Sequence, residues 1–110
     1  TARPSPALHI VRYEDMLDAP IKTFGGITAF LGLKVSRERL EKAIKLSSFR
    51  VLKEQEKRYG FIEKSPASEA FFREGKAGQW RKVLTPAQID ALVSVHREQM
   101  ERFGYWPLPK

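Results

Sequence analysis

Cysteine is missing from this 110-residue chain, which excludes a disulfide framework, a thiolate metal site and a cysteine nucleophile. No stretch approaches the roughly 20 apolar residues of a membrane span, and Thr1 to Pro6 holds no apolar run of the kind a signal peptide needs. The chain is therefore expected to be soluble, with no membrane partner, and the lack of thiols fits a reducing, cytoplasmic setting. Histidine occurs only at His9 and His96, neither with neighbours at ligand spacing, so no metal site is expected. None of the glycine-rich P-loop, dinucleotide or nucleophile-elbow motifs is present. Asp15 with Asp18, or Glu14 with Asp18, are the nearest approach to a carboxylate pair, and nothing around them resembles a glycosidase site. Acidic residues are in the minority: 20 Lys and Arg face 13 Asp and Glu, for a net charge of +7 and a pI near 9.9. Such a balance favours an anionic partner without naming it.

At this length the chain is one domain at most, with room for a modest core. Thr1 to Ala7, with Pro4 and Pro6, reads as an extended lead-in. Leu8-His9-Ile10-Val11-Arg12-Tyr13 has the β-branched and aromatic content of a short strand, and no second strand pattern follows it. A lone strand cannot satisfy its own backbone, so another chain or a missing piece is expected to complete the sheet. Beyond it the pattern is helical, and four helices are expected. The first runs from an Asp18 cap and Pro20 through Ile21, Phe24, Ile27 and Leu31 to a stop at Gly32, with Gly25 and Gly26 marking either close helix packing or a simple local weakness. A second opens at Ser36 and carries Leu40, Ala43 and Ile44 on its core face. A third, capped by Ser47 or Ser48, continues through Val51, Leu52 and Tyr59 to Gly60. Charges between Lys34 and Arg58 read as solvated helix faces, with Glu38–Lys42 and Glu41–Lys45 at pairing distance. After a polar loop over Phe61 to Ala70, Thr85-Pro86-Ala87-Gln88 has the form of a capping box, and the helix it starts carries Ile89, Leu92, Val93, His96, Met100 and Phe103 on one stripe up to Gly104. His96 in that stripe reads as a core or boundary residue rather than a base. The final Tyr105-Trp106-Pro107 is expected to fold back on the domain.

Everything else is organised around Phe72 to Thr85, FREGKAGQWRKVLT. Gly75 and Gly78 stand among Arg73, Lys76, Arg81 and Lys82, with Trp80 between. Glycine brings backbone N–H groups close to a ligand, and the arginine fork grips phosphate bidentately, so the loop is suited to an anion. Read as composition alone, it is equally a solvated turn.

The order of these residues resembles the C-terminal nucleotide-binding signature of the cytosolic-type sulfotransferases, approximately R-K-G-x-x-G-D-W-K-N-x-F-T. Arg73, Gly75, Gly78, Trp80 and Thr85 match identically, and Arg81 and Leu84 in kind. Glu74 stands where the family has lysine, Gln79 where it has aspartate, and Lys82 where it has asparagine. Two further segments are similar to the family in the same order: Tyr13-Glu14-Asp15-Met16 to a strand end Y-E-D-hydrophobe, and Ser47-Ser48-Phe49 to a T-S-F segment that opens a helix at the nucleotide. The resemblance implies a P-loop-type α/β fold for the whole parent domain, of which this chain would be a mainly helical C-terminal part with one strand and about four helices. It implies 3′-phosphoadenosine 5′-phosphosulfate (PAPS) as co-substrate and a hydroxyl or amine acceptor. Arg73 and Gly75 would hold the 3′-phosphate, with Glu74 beside them facing outward. Tyr13 would contact adenine, and Ser47, Ser48, Phe49 and Phe72 would be further nucleotide contacts. Taken singly, Tyr13 is also a strand-end cap, Ser47 and Ser48 are ordinary helix caps, and Phe49 is core.

The family's phosphosulfate loop, of the type T-Y-P-K-S-G-T-T, and its catalytic histidine have no counterpart among these residues, so no catalytic residue is assigned and the 110 residues alone are expected to be inactive. The family's dimer motif falls at Arg81, Thr85, Pro86 and Asp90, where proline replaces valine and removes a donor, leaving a homodimer possible. The competing reading is a small basic helical module that binds nucleic acid or an acidic protein through Lys34 to Arg58. It explains the charge and not the loop.

Overall fold

The computed structural model describes residues 5–109, which fall into two units divided between Ala77 and Gly78. In the first unit, α1 (Tyr13–Asp18), α2 (Pro20–Phe30), α3 (Arg37–Leu46) and α4 (Phe49–Tyr59) follow one another, and each packs on the next. The second unit holds the single turn α5 (Trp80–Val83) and the long α6 (Pro86–Arg102).

The strand expected over Leu8–Tyr13 is absent: no strand occurs among the described residues. Ser5 and Leu8 instead exchange backbone hydrogen bonds of 2.8 and 3.1 Å across a tight turn, and Tyr13 opens α1. Arg12 keeps extended angles, φ −96° and ψ 142°. The residues thus retain an extended lead into Tyr13 without a ladder, because nothing in the described chain offers the partner N–H and C=O groups that a strand requires. The lead-in expected over Thr1 to Ala7 lies partly outside the described residues, and its described part belongs to that turn.

Local chemistry sets the helix ends. Asp18 does not cap α2 as expected, since it is the last residue of α1. The cap is Ala19, without a side-chain bond, and Pro20 follows at the first helical position, where its missing N–H costs nothing. Thr23 joins the two helices: its N–H donates to the Ala19 carbonyl and its Oγ1 to the Asp15 carbonyl, both at 2.9 Å. Ser36 and Ser48 cap α3 and α4 by accepting from Arg39 N and Val51 N. Thr85 and Gln88 form a reciprocal capping box at α6, with bonds of 3.2 and 2.9 Å. At the far end of α2, Leu33 N donates to Thr28 O and Gly32 N to Ala29 O. At the far end of α6, Tyr105 N donates to Met100 O and Gly104 N to Glu101 O. Both are Schellman closures, which turn the chain left-handed at the glycine and so use up orphan carbonyls.

No described side chain is fully buried. In the first unit the half-buried apolar groups lie along α2 and the facing sides of α3 and α4, where a methyl on Gly25 would meet Leu40 Cδ2 at 3.7 Å. Gly25 therefore packs at ordinary contact distance against α3. Ile62 is 95% exposed, Tyr59 83% and Val95 74%, so much apolar surface lies open. Ion pairing on α3 departs from the expected register: Glu41 pairs back to Arg37 at 2.8 Å rather than forward to Lys45. Both partners are more than half exposed, and such a pair adds a few tenths of a kcal/mol. In the second unit the Arg97 guanidinium lies 4.8 Å from the Trp106 ring centre, which folds the aromatic tail onto α6 as expected. His96, expected at the core or its boundary, is exposed on that helix.

Candidate functional site

Helix α4 begins at the Ser48 cap, and its first residue is Phe49. Phe49, Lys53 and Glu56 follow at i, i+4 and i+7, so they form one stripe down the helix. Against that stripe lies the segment 71–75, which lacks regular structure of its own. Glu56 accepts two backbone hydrogen bonds there, from Phe71 N to Oε2 at 2.8 Å and from Phe72 N to Oε1 at 3.1 Å. One turn earlier, Lys53 Nζ donates to the Arg73 carbonyl at 2.8 Å. At the start of the helix Phe49 faces Gly75. The pairings 56 with 71 and 72, 53 with 73, and 49 with 75 show that the segment runs antiparallel to α4. Seven helical residues rise about 10 Å, and three to four extended residues cover much the same distance, so the two tracks match in length.

Gly75 is required at the top of this run for two reasons. Its φ is +62°, a region that costs other residues steric strain. A Cβ built there would also lie 2.4 Å from Phe49 Cγ and 2.5 Å from Cδ2, so the backbone sits directly against the ring. Below this contact Phe61, Phe71 and Phe72 form a cluster with ring centres 4.6 to 5.0 Å apart, and Phe72 meets Phe49 edge-on at 6.3 Å. Lys53 Nζ also stands 5.6 Å from the Phe49 ring centre. The result is a fixed backbone carrying the exposed side chains of Arg73 and Glu74 next to the first turn of a helix. The first N–H groups of a helix have no partner in its own ladder; here Val51 N is capped by Ser48 Oγ, and such a helix start and an arginine on a neighbouring segment are both groups that suit a phosphate-bearing ligand.

Of the residues singled out from sequence, Ser48, Phe49, Phe72, Arg73, Glu74 and Gly75 are thus brought into one region from two places more than 20 residues apart. Ser47 ends α3, with its N–H on the Ala43 carbonyl. Tyr13 opens α1, is 45% exposed and takes part in none of these contacts. The rest of the loop signature, from Gly78 onward, belongs to the second unit. There the Arg81 guanidinium lies 5.0 Å from the Trp80 ring centre and donates to the Pro109 carbonyl at 2.8 Å, which gives it a local structural task. Among the described residues no group of three or more His, Asp or Glu side chains is placed to hold a metal ion. No described helix is long and apolar enough to cross a membrane.

Sequence reasoning passed over Lys53 and Glu56, treating them as part of a solvated charged face. Their signal was the helical spacing from Phe49, which puts all three on the same side of α4.

A family model described as "Sulfotransferase domain" matches residues 1–104. Sulfotransferase 2A6 of Rattus norvegicus is 35% identical over 103 residues, covering 89% of this chain and 36% of the relative. The 3-alpha-hydroxysteroid sulfotransferase of Cavia porcellus is 32% identical over 101 residues, covering 89% and 34%. Cytosolic sulfotransferase 17 of Arabidopsis thaliana is 29% identical over 114 aligned positions, covering 94% and 33%. The chain therefore spans about a third of the length of these relatives. No solved structure matches it. With the basic loop, the helix start that meets it and the family match across nearly all of its length, the chain belongs to the sulfotransferase domain family.

Proposed function

We propose that this chain is the nucleotide-binding part of a sulfotransferase that moves a sulfuryl group from PAPS to a hydroxyl or amine. The observation that carries the reading is the lashing of the 71–75 segment to α4, which sets Gly75 against Phe49 at the Ser48-capped helix start and holds the Arg73 backbone one turn along. In this reading the Arg73 fork and the backbone at Gly75 hold the 3′-phosphate, while Phe49, Phe72 and Tyr13 flank the adenine. Ser47 and Ser48 contribute at the helix start, and the exposed Glu74 faces away from the phosphate. In the reaction the bond between sulfur and the bridging oxygen of PAPS breaks, sulfur bonds to the acceptor oxygen or nitrogen, and the acceptor loses a proton. The residues of this chain contribute binding and orientation, which count toward the rate as pre-organisation. No residue here is assigned to move the proton, and the 110 residues alone are expected not to turn over.

The same reading accounts for the open surface. Extended backbone before Tyr13 and apolar groups such as Ile62 are what the remainder of a sulfotransferase domain would pair with and cover. The test is titration calorimetry on the full-length natural protein with adenosine 3′,5′-bisphosphate and with adenosine 5′-monophosphate, which lacks the 3′-phosphate. Wild type is expected to prefer the bisphosphate. Arg73→Ala should remove about 1.5 to 3 kcal/mol of that preference, the range for hydrogen bonds to charged groups. A wild-type protein that binds both nucleotides alike, or an Arg73→Ala variant that keeps the preference, refutes the assignment.

A further inference from the structure

The structure assigns Glu56 and Lys53 as positioning residues of the phosphate-holding segment: from one stripe of α4 they fix the backbone at 71–73 and so set where Arg73 and Gly75 stand. This inference rests on the nucleotide reading above and adds to it two residues that themselves need not touch the ligand.

A carboxylate near an anion site is at first sight a defect, because it repels the charge that the site collects. Here both Glu56 oxygens are turned to the N–H groups of Phe71 and Phe72, at 2.8 and 3.1 Å. Those donors neutralise part of its charge, and its position is that of a backbone clamp. Neighbouring Glu54 shows the contrast, pairing along the helix with Lys57 at 3.7 Å. Lys53 completes the clamp one turn up by donating to the Arg73 carbonyl, so the residue that carries the proposed fork is held through its own backbone. Between Phe72 and Gly75 the segment has no helical or strand ladder to order it. The three ties to α4 are therefore what fixes its path before any ligand arrives, and a pre-set path spares the ligand the cost of ordering it.

The arrangement makes a prediction that a merely stabilising role does not. Glu56→Gln keeps the size of the side chain but turns an amide donor toward one of the two N–H groups, so one tie is lost and replaced by a donor–donor clash. In the full-length protein, titration with adenosine 3′,5′-bisphosphate should show about a tenfold or greater rise in Kd, the equivalent of one charge-assisted bond. The Kd for adenosine 5′-monophosphate should stay within about twofold, because Phe72 at the adenine is also held by its ring contacts to Phe49, Phe61 and Phe71, whereas Arg73 and Gly75 follow the backbone tie. Lys53→Met should act in the same selective way, and Lys53→Arg, which keeps a donor, should restore the preference. A Glu56→Gln protein that keeps the wild-type ratio of the two affinities overturns the inference, and so does a parallel loss of both, which would mark a general loss of fold. If wild type itself fails to separate the two nucleotides, the nucleotide reading falls first, so the two failures are told apart by the wild-type titration.

Discussion

Alanine at position 75 is the sharpest single perturbation that the geometry allows. The added methyl carbon would stand 2.4 Å from Phe49 Cγ and 2.9 Å from Cδ1, where carbon atoms normally rest 3.5 to 4.0 Å apart. The ring or the segment must therefore retreat by about 1 Å, and the ring is backed edge-on by Phe72 at 6.3 Å. Overpacking of this kind costs about 1 to 3 kcal/mol. Holding alanine at a φ of +62° adds roughly 1 to 2 kcal/mol. A total of about 2 to 5 kcal/mol corresponds to a 30-fold or greater loss of the native placement of the segment. For Gly75→Ala in the full-length protein, calorimetry should therefore show at least about a 30-fold weaker affinity for adenosine 3′,5′-bisphosphate, or urea unfolding should show an equivalent loss of stability. The double variant Phe49→Ala/Gly75→Ala removes the overlap and leaves the backbone strain, so stability should show a favourable coupling of about 1 to 3 kcal/mol relative to the sum of the singles. Gly75→Ala with affinity within about twofold of wild type and unchanged stability would refute both the contact and its proposed role.

Two further outcomes test the second unit by itself. Thr85→Ala removes the side-chain half of the capping box and should lower stability to urea by about 1 kcal/mol, with a smaller effect from Gln88→Ala. Arg97→Ala removes the cation above the Trp106 ring together with an exposed ion pair to Glu101, and a loss of about 0.5 to 1 kcal/mol is expected in thermal unfolding.

Helix positions were the most legible part of the sequence because their ends carry their own chemistry. Ser36, Ser48 and the Thr85–Gln88 box cap where a reading of local hydrogen-bond demand puts them, and Gly32, Gly60 and Gly104 follow the last turns. The strand over Leu8–Tyr13 was misread because β-branched content reports a preference for extended backbone, which Arg12 still shows, whereas a strand also needs a neighbour. The short helices α1 and α5 were missed: six and four residues are too few for a periodic pattern to emerge. At the site, Gly75 and Arg73 stood out by type and order. Lys53 and Glu56 did not, since a charged side chain that serves a distant backbone looks, in one dimension, the same as one that faces water.

The two tryptophans, Trp80 and Trp106, both lie within 78–110, while residues 1–77, which include the segment lashed to α4, have phenylalanine and tyrosine but no tryptophan. Nature has in effect labelled one half of the chain with an optical probe and left the other dark. Within these 110 residues, indole emission excited at the red edge would follow α5, α6 and the tail, and a denaturation curve recorded that way need not coincide with one recorded by ellipticity. Any lag between them would measure how independently residues 1–77 hold together.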